Sequence, residues 1–458
     1  MPNSVPAIKQ SLLDALGVAS TAELFAQIPE EHRLATPLDL PTALTSEAAL
    51  GRHLRGLLRN NLSCEDALNF LGSGCWQHHV PAICDEISRR SEFLTPVWGT
   101  PASDFGRNQA WFEFASQLGE LLEYDLVSLP VYSWGCAAGH AMRMAARMTE
   151  RQTVLIPRHL DPERRAVINT YCEPSELGSH IKLVEIGSDP ASGSLDVQEL
   201  LAHLDSSVAA VYFENPCWLG QFESAAATIA AAARKVGAET IVGVDPLSLG
   251  VLRPPAGYGA DIAVGSIQPL GIRMNFGGGL GGFIASSDES RYASQYPSLM
   301  LSIAETTHGE RTFSMTLMEQ CSYGSREEAN DWTGNSTYLW AITAAVYMAL
   351  LGPQGFRELG EVIVRRANFA AQLLDDIDGV SVLPAKHFFK EFRVNFDNSG
   401  RSVADVNQAL LSDNIFGGLD LSEHYPELGQ SALFCVTELH TEADLRRLAA
   451  RVREAVGQ

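Results

Sequence analysis

A helix start rich in small residues is the first place where this sequence could do chemistry. Residues 132–148 read YSWGCAAGHAMRMAARM, and Gly135, Cys136 and Ala137 would lie in the first turn of the helix. Free backbone N–H groups and the helix dipole at such a turn favour a phosphate group. A close-packed helix start with a buried cysteine explains the same residues equally well. A cysteine nucleophile paired with His140 has no supporting pattern.

Two polar residues follow apolar runs that have the composition of strands. His159 comes two places after Pro157, at the end of VLIP, and Asp245 directly follows TIVGV. An acid at the carboxyl end of a strand in an α/β sheet lies where ligands bind, although it caps a following helix equally well. A single histidine on a loop is by itself most simply explained by solvent exposure.

A third apolar run, ADIAVG, ends in small residues and leads into the loop SIQPLGIRMNF. The position is that of an active-site loop, yet the loop carries no lysine, nucleophile or base. The next segment, GGGLGG at 277–282, formally matches GxGxxG, but a dinucleotide fingerprint requires a helix after the glycines, and FIAS indicates another strand. The glycines therefore predict close packing of two strands or of a neighbouring subunit.

The order of these features indicates a pyridoxal phosphate (PLP) site in the large aminotransferase-like fold. In such a site Gly135, Cys136 and Ala137 would bind the phosphate, His159 would stack on the ring, and Asp245 would keep the pyridine nitrogen protonated. A lysine on the last loop would form the Schiff base, and the loop of this chain has none.

Alternating strand and helix patterns would position these residues. From about residue 120, short β-branched runs alternate with helical segments such as VQELLAHL, which predicts βαβ units and a mostly parallel sheet. We predict an α/β, PLP-dependent fold type I large domain over residues 61–330, preceded by a helical segment over 1–60. Mixed helices and strands after it predict a smaller α+β C-terminal domain over 331–458.

Composition narrows the classes of partner and compartment. The 458 residues include 33 Lys+Arg against 55 Asp+Glu, a formal net charge of -22, which argues against a nucleic acid partner. The eight cysteines are scattered without zinc spacing, so we expect free thiols in a reducing compartment and no metal site. No signal-peptide pattern and no uninterrupted apolar stretch of about 18 residues occurs, so we expect a cytoplasmic protein that does not bind a membrane.

Longer segments carry a specific resemblance to one family. They are LNFLGSGCWQHHVPAICDEISRRSEFLT at 68–95, VDPLSLGVLRPPAGYGADIAVGSIQPLGI at 244–272, AAVYMALLGPQGFRELGE at 344–361 and IFGGLDLSEHYPELGQSALFCVTELHT at 415–441. Together they resemble the glycine dehydrogenase (decarboxylating) family, the P-protein of the glycine cleavage system. The likeness is to the alpha-type chain, or subunit 1, of the split bacterial form.

The resemblance implies one chain of a PLP-dependent oxidoreductase, assembled as α2β2 with a beta-type P-protein subunit. That enzyme decarboxylates glycine, a small amino acid, and passes an aminomethyl group to the lipoyl H-protein. It also implies that the beta-type partner carries the Schiff-base lysine and the covalent PLP. Consistent with this, none of the five lysines of this chain, Lys9, Lys182, Lys235, Lys386 and Lys390, lies on the loop after ADIAVG. This chain would then hold no catalytic residue and would not be competent alone.

Three segments depart from the family pattern: PVWGTPASDFG at 96–106, YSWGCAAG at 132–139 and REEANDWTGNST at 326–337. They leave open that the chain is a diverged paralogue. Two alternatives follow from this. One is a non-catalytic scaffold or pseudoenzyme of the same fold that stabilises a partner, and the other is a diverged PLP-type amino-acid lyase or decarboxylase.

Overall fold

The computed structural model describes residues 5–34, 36, 38–94, 101–175, 180–189, 193–316, 322–334, 336–384 and 386–457. Residues 95–100, which include the start of the first departing segment, and Cys321 lie outside this description. The chain forms two compact units, Met1–Leu62 and Ser63–Gln458. The first boundary lies next to the one predicted at residue 60. The boundary predicted at residue 330 stays a prediction.

The N-terminal unit is built from short helices. These are α1 (Pro6–Leu16) and α2 (Glu47–Leu58), with 3-10 helices at Thr21–Phe25 and Glu30–His32 between them. Proline in the first turn of α1 costs no hydrogen bond there. Gly17, at φ 69°, ends the helix in the left-handed region, where glycine is unstrained.

A seven-stranded sheet forms the core of the second unit. After the short strand β1 (Leu68–Asn69), its strands are β2 (Leu126–Val127), β3 (Thr153–Pro157), β4 (Lys182–Ile186), β5 (Val208–Glu214), β6 (Glu239–Val244), β7 (Ile262–Ser266) and β8 (Gly282–Ser286). Their order in the sheet is β2-β8-β7-β6-β5-β3-β4. Strands β3 to β7 are parallel and β8 is antiparallel to β7, which confirms the mostly parallel sheet. The carboxyl ends of β5, β6 and β7 therefore meet at one edge.

Helices and one hairpin complete this part of the chain. The α-helices are α3 (Ala82–Ser88), α4 (Pro101–Leu122), α5 (Trp134–Thr149), α6 (Pro162–Cys172), α7 (Val197–His203), α8 (Ala226–Val236), α9 (Ser290–Ala293) and α10 (Ser322–Ser325). The 3-10 helices are Ser91–Phe93, Pro246–Gly250, Pro255–Tyr258, Asn275–Gly277 and Arg326–Glu328. Strands β9 (Met300–Glu305) and β10 (Arg311–Thr316) pair as an antiparallel hairpin. Helix α5 packs against α6 on one side and against the sheet on the other.

The C-terminal part holds a second, antiparallel sheet. Its elements are α11 (Tyr338–Asp375), β11 (Ser381–Leu383), β12 (Glu391–Asn395), α12 (Val403–Ser412), β13 (Ile415–Phe416), β14 (Leu419–Asp420), β15 (Ser431–Cys435) and α13 (Glu442–Ala455), with 3-10 helices at Asp397–Ser399 and Pro426–Leu428. The four-stranded sheet has the order β11-β12-β15-β14, while β13 pairs in parallel with β1. This is the mixed α+β arrangement that the sequence predicts.

Helix α11 is interrupted at Gly352, where φ is 58° and ψ is 179°, directly before Pro353. Proline lacks an N–H group and disfavours the helical conformation of the residue before it, so the helix breaks at this point. In the described residues α11 is the helix long and apolar enough to cross a membrane by length and composition. It packs against α3 and α4, which is typical of a core helix.

Candidate functional site

Asp245 lies at the carboxyl end of β6 with 4% of its surface exposed. Its Oδ1 accepts the backbone N–H of Leu247 at 3.1 Å, so the residue caps the following 3-10 helix, which is one of the two roles that the sequence left open. Its Oδ2 accepts no hydrogen bond from the described residues, but the Lys390 ammonium lies 2.7 Å away. Asp245 is therefore a cap and an ion-pair partner at once.

Lys390 reaches this position from the other sheet, since it directly precedes β12. It is 2% exposed. Its Nζ lies 2.7 Å from Asp245 Oδ2, 3.0 Å from His78 Nε2 and 3.5 Å from the centroid of the Trp76 ring. A buried ammonium is costly unless it is paired, and here a carboxylate, an imidazole nitrogen and an aromatic face surround it.

This contact was not predicted, because the fold places its functional lysine on the loop after β7 and Lys390 lies elsewhere in the chain. The available signal was the run FFKEF at 388–392, in which Lys390 and Glu391 interrupt a row of phenylalanines. Charged residues within such an apolar strand pattern are buried with it and need partners. Glu391 is the second case: its Oε1 accepts the Ser73 backbone N–H at 2.6 Å, and burial raises the pKa of its carboxyl group.

His78 extends the contact to a second carboxylate. An ammonium group only donates, so Lys390 donates to His78 Nε2, and His78 Nδ1–H donates to Glu438 at 2.8 Å. Burial alone would raise the pKa of Glu438, but the His78 ring and the His79 N–H beside it lower that pKa to about 2. Asp245, Lys390, His78 and Glu438 thus form one connected buried network.

A second buried ion pair closes the other side of the site. Arg164 of α6 lies 2.6 Å from Glu214 at the end of β5, and the Tyr212 hydroxyl donates to the same carboxylate at 2.7 Å. Burial alone would lower the pKa of the Arg164 guanidinium, but the Glu214 and Asp161 carboxylates raise it, so the guanidinium stays charged. It lies over the Trp134 ring, 4.0 Å from the centroid.

Little space remains between these side chains. The cavity beside Asp245 has a volume of about 20 Å³, and its lining includes Trp76, Trp134, Arg164 and Lys390. That is room for about one water molecule. Clefts that bind cofactor-sized ligands enclose on the order of 300–1,000 Å³. The residues of this chain therefore do not fit a PLP ring between Asp245 and α5.

The predicted phosphate seat lies in the first turn of α5, and two of its backbone N–H groups are engaged within the turn. The Cys136 N–H donates to Ser133 Oγ at 3.2 Å, and the Ala137 N–H donates to the Ser133 carbonyl at 3.0 Å. Gly135 lies against α6 with no room for a side chain. None of these three residues lines the cavity beside Asp245, whereas Trp134 does. Their role in phosphate binding stays a prediction.

The cysteine alternative finds no support in the contacts of α5. His140 Nε2 lies 3.1 Å from the Thr333 hydroxyl, and its ring meets Tyr171 edge-on at 4.6 Å. Burial lowers the pKa of His140 to about 4, so the ring is neutral at neutral pH. The seven described cysteines, Cys136 among them, are free thiols.

His159 lies beside the cavity rather than in it. Its Nδ1 is 3.2 Å from the Ser188 hydroxyl, its Nε2 is 3.1 Å from Glu427, and its ring meets Tyr425 edge-on at 5.0 Å. His159 and Ser188 line a neighbouring cavity of about 10 Å³. The side chain is 9% exposed, so simple solvent exposure is the wrong explanation. Stacking on a cofactor ring stays a prediction.

The loop after β7 holds Trp76 in place. Gln268, 1% exposed, accepts the Trp76 N–H at 3.1 Å and donates to the Trp76 carbonyl at 2.8 Å and to the Ile272 carbonyl at 3.0 Å. In this fold the loop would carry the Schiff-base lysine. In this chain it positions one of the aromatic rings that fill the site.

The last two glycines of the stretch 277–282 lie in close contact with neighbouring residues. A Cβ on Gly282 would lie 2.0 Å from the Ser133 carbonyl oxygen, and one on Gly281 would lie 2.6 Å from Ile267. Strand β8 follows directly, so the helix that a dinucleotide fingerprint requires is missing. These two glycines thus allow close packing, but against the start of α5 and the loop after β7 rather than between two strands. Gly277 and Gly278 have no such close neighbour.

The fold and the position of the site define a class of protein, the PLP-dependent proteins of fold type I. The chain superposes on a sphingosine-1-phosphate lyase from Burkholderia pseudomallei with a TM-score of 0.65 over 94% of each chain. At 15% identity this likeness shows the fold alone. The predicted fold class is confirmed.

The chain belongs to the glycine cleavage system P-protein family, which matches residues 4–452. It is 33% identical to a "Probable glycine dehydrogenase (decarboxylating) subunit 1" of Staphylothermus marinus over 100% of this chain and 98% of the relative. It is 36% identical to the protein of the same name from Sulfurisphaera tokodaii over 98% of each. A crystal structure of a glycine decarboxylase (P-protein) in inhibitor-bound form matches with 34% identity and a TM-score of 0.89 over 98% of each chain.

Proposed function

We propose that this chain is the subunit 1 component of a glycine dehydrogenase (decarboxylating) and that it contributes no cofactor site. The absence of a cofactor site is supported by the contact between Lys390 and Asp245 beside a cavity of about 20 Å³. The assignment as subunit 1 is supported by full-length similarity to relatives of that name.

A beta-type partner completes this proposal. That partner holds PLP covalently, and the pair assembles as α2β2, decarboxylates glycine and passes the aminomethyl group to the lipoyl H-protein. PLP supplies the electron sink when CO₂ leaves. The present chain supplies a rigid copy of the same fold, with ion pairs and tryptophan rings where the partner has a cofactor.

Glycine-dependent exchange of labelled CO₂ in the presence of lipoyl H-protein tests this function. We expect no exchange with this chain alone, weak or no exchange with the partner alone, and full exchange with the mixture. A matched control is the mixture with the partner's Schiff-base lysine replaced by alanine, which should be inactive. Exchange by this chain alone, with added PLP, would contradict the proposal.

A scaffold without any role in turnover is the second candidate, and the filled cavity favours it as well. The two candidates predict different effects when this chain is added to a partner that is stable by itself. If this chain is a scaffold, it raises the melting temperature of the partner without changing kcat per partner site. The subunit role predicts a higher kcat, or a lower KM for glycine or H-protein. A stand-alone lyase or decarboxylase requires a cofactor in this chain, which the small cavity disfavours.

A further inference from the structure

We infer that the Lys390 ammonium has taken the place of a protonated pyridine nitrogen on Asp245, so that this chain supplies its own cation to the site. The removal of that side chain should then leave a binding site for a small organic cation. The inference rests on the proposed role of Asp245 as the counterpart of the pyridine-binding carboxylate.

The requirement for a cation comes from the burial of Asp245. Its Oδ1 is satisfied by the Leu247 N–H, and its Oδ2 is left to the Lys390 ammonium at 2.7 Å. Both residues are nearly inaccessible, at 4% and 2% exposed. A carboxylate buried to this extent stays ionised only beside a positive group. A pyridinium and an ammonium group meet this need in the same way, because each places one positive charge beside the carboxylate.

The direction from which Lys390 approaches separates this role from that of a Schiff-base lysine. In a PLP ring the nitrogen and the carbon that bears the aldehyde lie at opposite ends. A Schiff-base lysine must reach the aldehyde end, whereas Lys390 lies on the carboxylate that would face the nitrogen end. Its chain position agrees, since it precedes β12 and does not lie on the loop after β7.

The surroundings of Lys390 are those of a bound cation. The Trp76 face covers its Nζ at 3.5 Å, and His78 Nε2 accepts from it at 3.0 Å. Trp76 is in turn fixed by the two hydrogen bonds between its backbone and Gln268. An aromatic face, a carboxylate and a neutral acceptor are the groups that recognise organic ammonium ions in proteins.

Chemical rescue tests the inference on the full-length chain. Lys390→Ala removes the side chain beyond Cβ, and n-propylammonium supplies the same three carbons and nitrogen. We expect the variant to melt about 5 °C below the unsubstituted chain, as for a broken buried ion pair, and to recover most of this loss with saturating propylammonium. Pyridinium, at a pH where pyridine is largely protonated, should give a second saturable rise in melting temperature.

The controls are matched in charge and in chemistry. Lys182→Ala removes an exposed lysine and should show no saturable response to either cation. Propan-1-ol, which has the same length and no charge, should not rescue Lys390→Ala. Lys390→Ala with Asp245→Asn removes the carboxylate and should abolish the response to both cations. If Lys390→Ala does not fold alone, soluble yield on refolding with and without propylammonium is the equivalent readout.

Equal responses of Lys390→Ala and Lys182→Ala to propylammonium would overturn the inference, and so would rescue that persists after Asp245→Asn. Rescue by propylammonium without rescue by pyridinium would overturn the claim that the ammonium stands for a ring nitrogen. None of these readouts depends on glycine turnover. A failure of the proposed function in the CO₂ exchange assay therefore remains separate from a failure here.

Discussion

Asp245 at the end of β6 and Lys390 at the start of β12 meet at 2.7 Å and connect the parallel sheet to the antiparallel one. Asp245 is the residue that we propose as the counterpart of the pyridine-binding carboxylate in PLP-dependent members of this fold. Both side chains are nearly inaccessible, and His78 and Trp76 lie against the lysine. The contact therefore links the two sheets at the proposed cofactor position.

Replacing one partner of this ion pair should destabilise the folded chain more than replacing both. Lys390→Met leaves the Asp245 carboxylate buried without a cation, so we expect the free energy of unfolding to fall by about 3–5 kcal/mol. Lys390→Met combined with Asp245→Asn removes both charges and should recover a large part of that loss. Urea unfolding of the two single variants and the double variant gives the coupling. Losses that simply add would show that the two charges do not interact.

Glu438 should make the stability depend on acid pH. Its pKa in the folded chain is about 2, below the ordinary value of 4.5, so the folded state favours the ionised form. The stabilisation is complete above about pH 4.5 and is lost as the pH falls toward 2.

Glu438→Gln removes this dependence and supplies the test. The difference in unfolding free energy between the unsubstituted chain and Glu438→Gln should be largest at pH 7 and should shrink between pH 4.5 and pH 3. The exposed Glu358→Gln is the control for a change in net charge. A difference that is the same at both ends of this range would rule out the expected coupling to His78.

Gln268 should contribute to the stability of the folded chain through its hydrogen bonds to the Trp76 backbone. Gln268→Met keeps the size but leaves the Trp76 N–H and carbonyl without their partner, and we expect a loss of about 1–3 kcal/mol or more. The exposed Gln354→Met is the matched control and should lie within about 0.5 kcal/mol of the unsubstituted chain. Chemical denaturation followed by far-UV circular dichroism measures both. Equal effects would mean that Gln268 does not fix Trp76.

Gly282 should not tolerate a side chain. In Gly282→Ala the new Cβ would approach the Ser133 carbonyl oxygen to 2.0 Å, so β8 or the start of α5 must shift, and we expect a loss above about 3 kcal/mol. Gly278→Ala, in the same stretch, meets its nearest atom at 3.6 Å and has a negative φ of -102°. It should change stability by less than about 1 kcal/mol. Similar melting temperatures for the two variants would contradict the packing role of Gly282.

The strands and their mostly parallel arrangement were predictable from sequence because β-branched runs alternate with helical segments. The break of α11 at Gly352 and Pro353 was predictable from backbone chemistry alone. The position of Asp245 at the carboxyl end of a strand was also predictable, since it depends on local pattern and on the geometry of parallel sheets.

The content of the site was not predictable in the same way. Lys390 comes from a different sheet, and no local pattern reports which distant carboxylate a buried lysine meets. Trp134 and Arg164 fill the cavity because α5 and α6 pack side by side, which is a tertiary relationship. The contacts of His159 were not predictable either, because a loop position by itself suggests exposure, yet Tyr425 and Glu427 from the C-terminal part lie against the ring.

Peptide mapping after borohydride reduction tests the central claim, that this chain has no cofactor site, most directly. The assembled enzyme, purified with its beta-type partner and PLP, is reduced, digested and analysed by mass spectrometry for phosphopyridoxyl-lysine. We predict the modification on a lysine of the partner and on no lysine of this chain. Stoichiometric modification of Lys390 would show that its ion pair with Asp245 opens to the cofactor, and it would contradict the account.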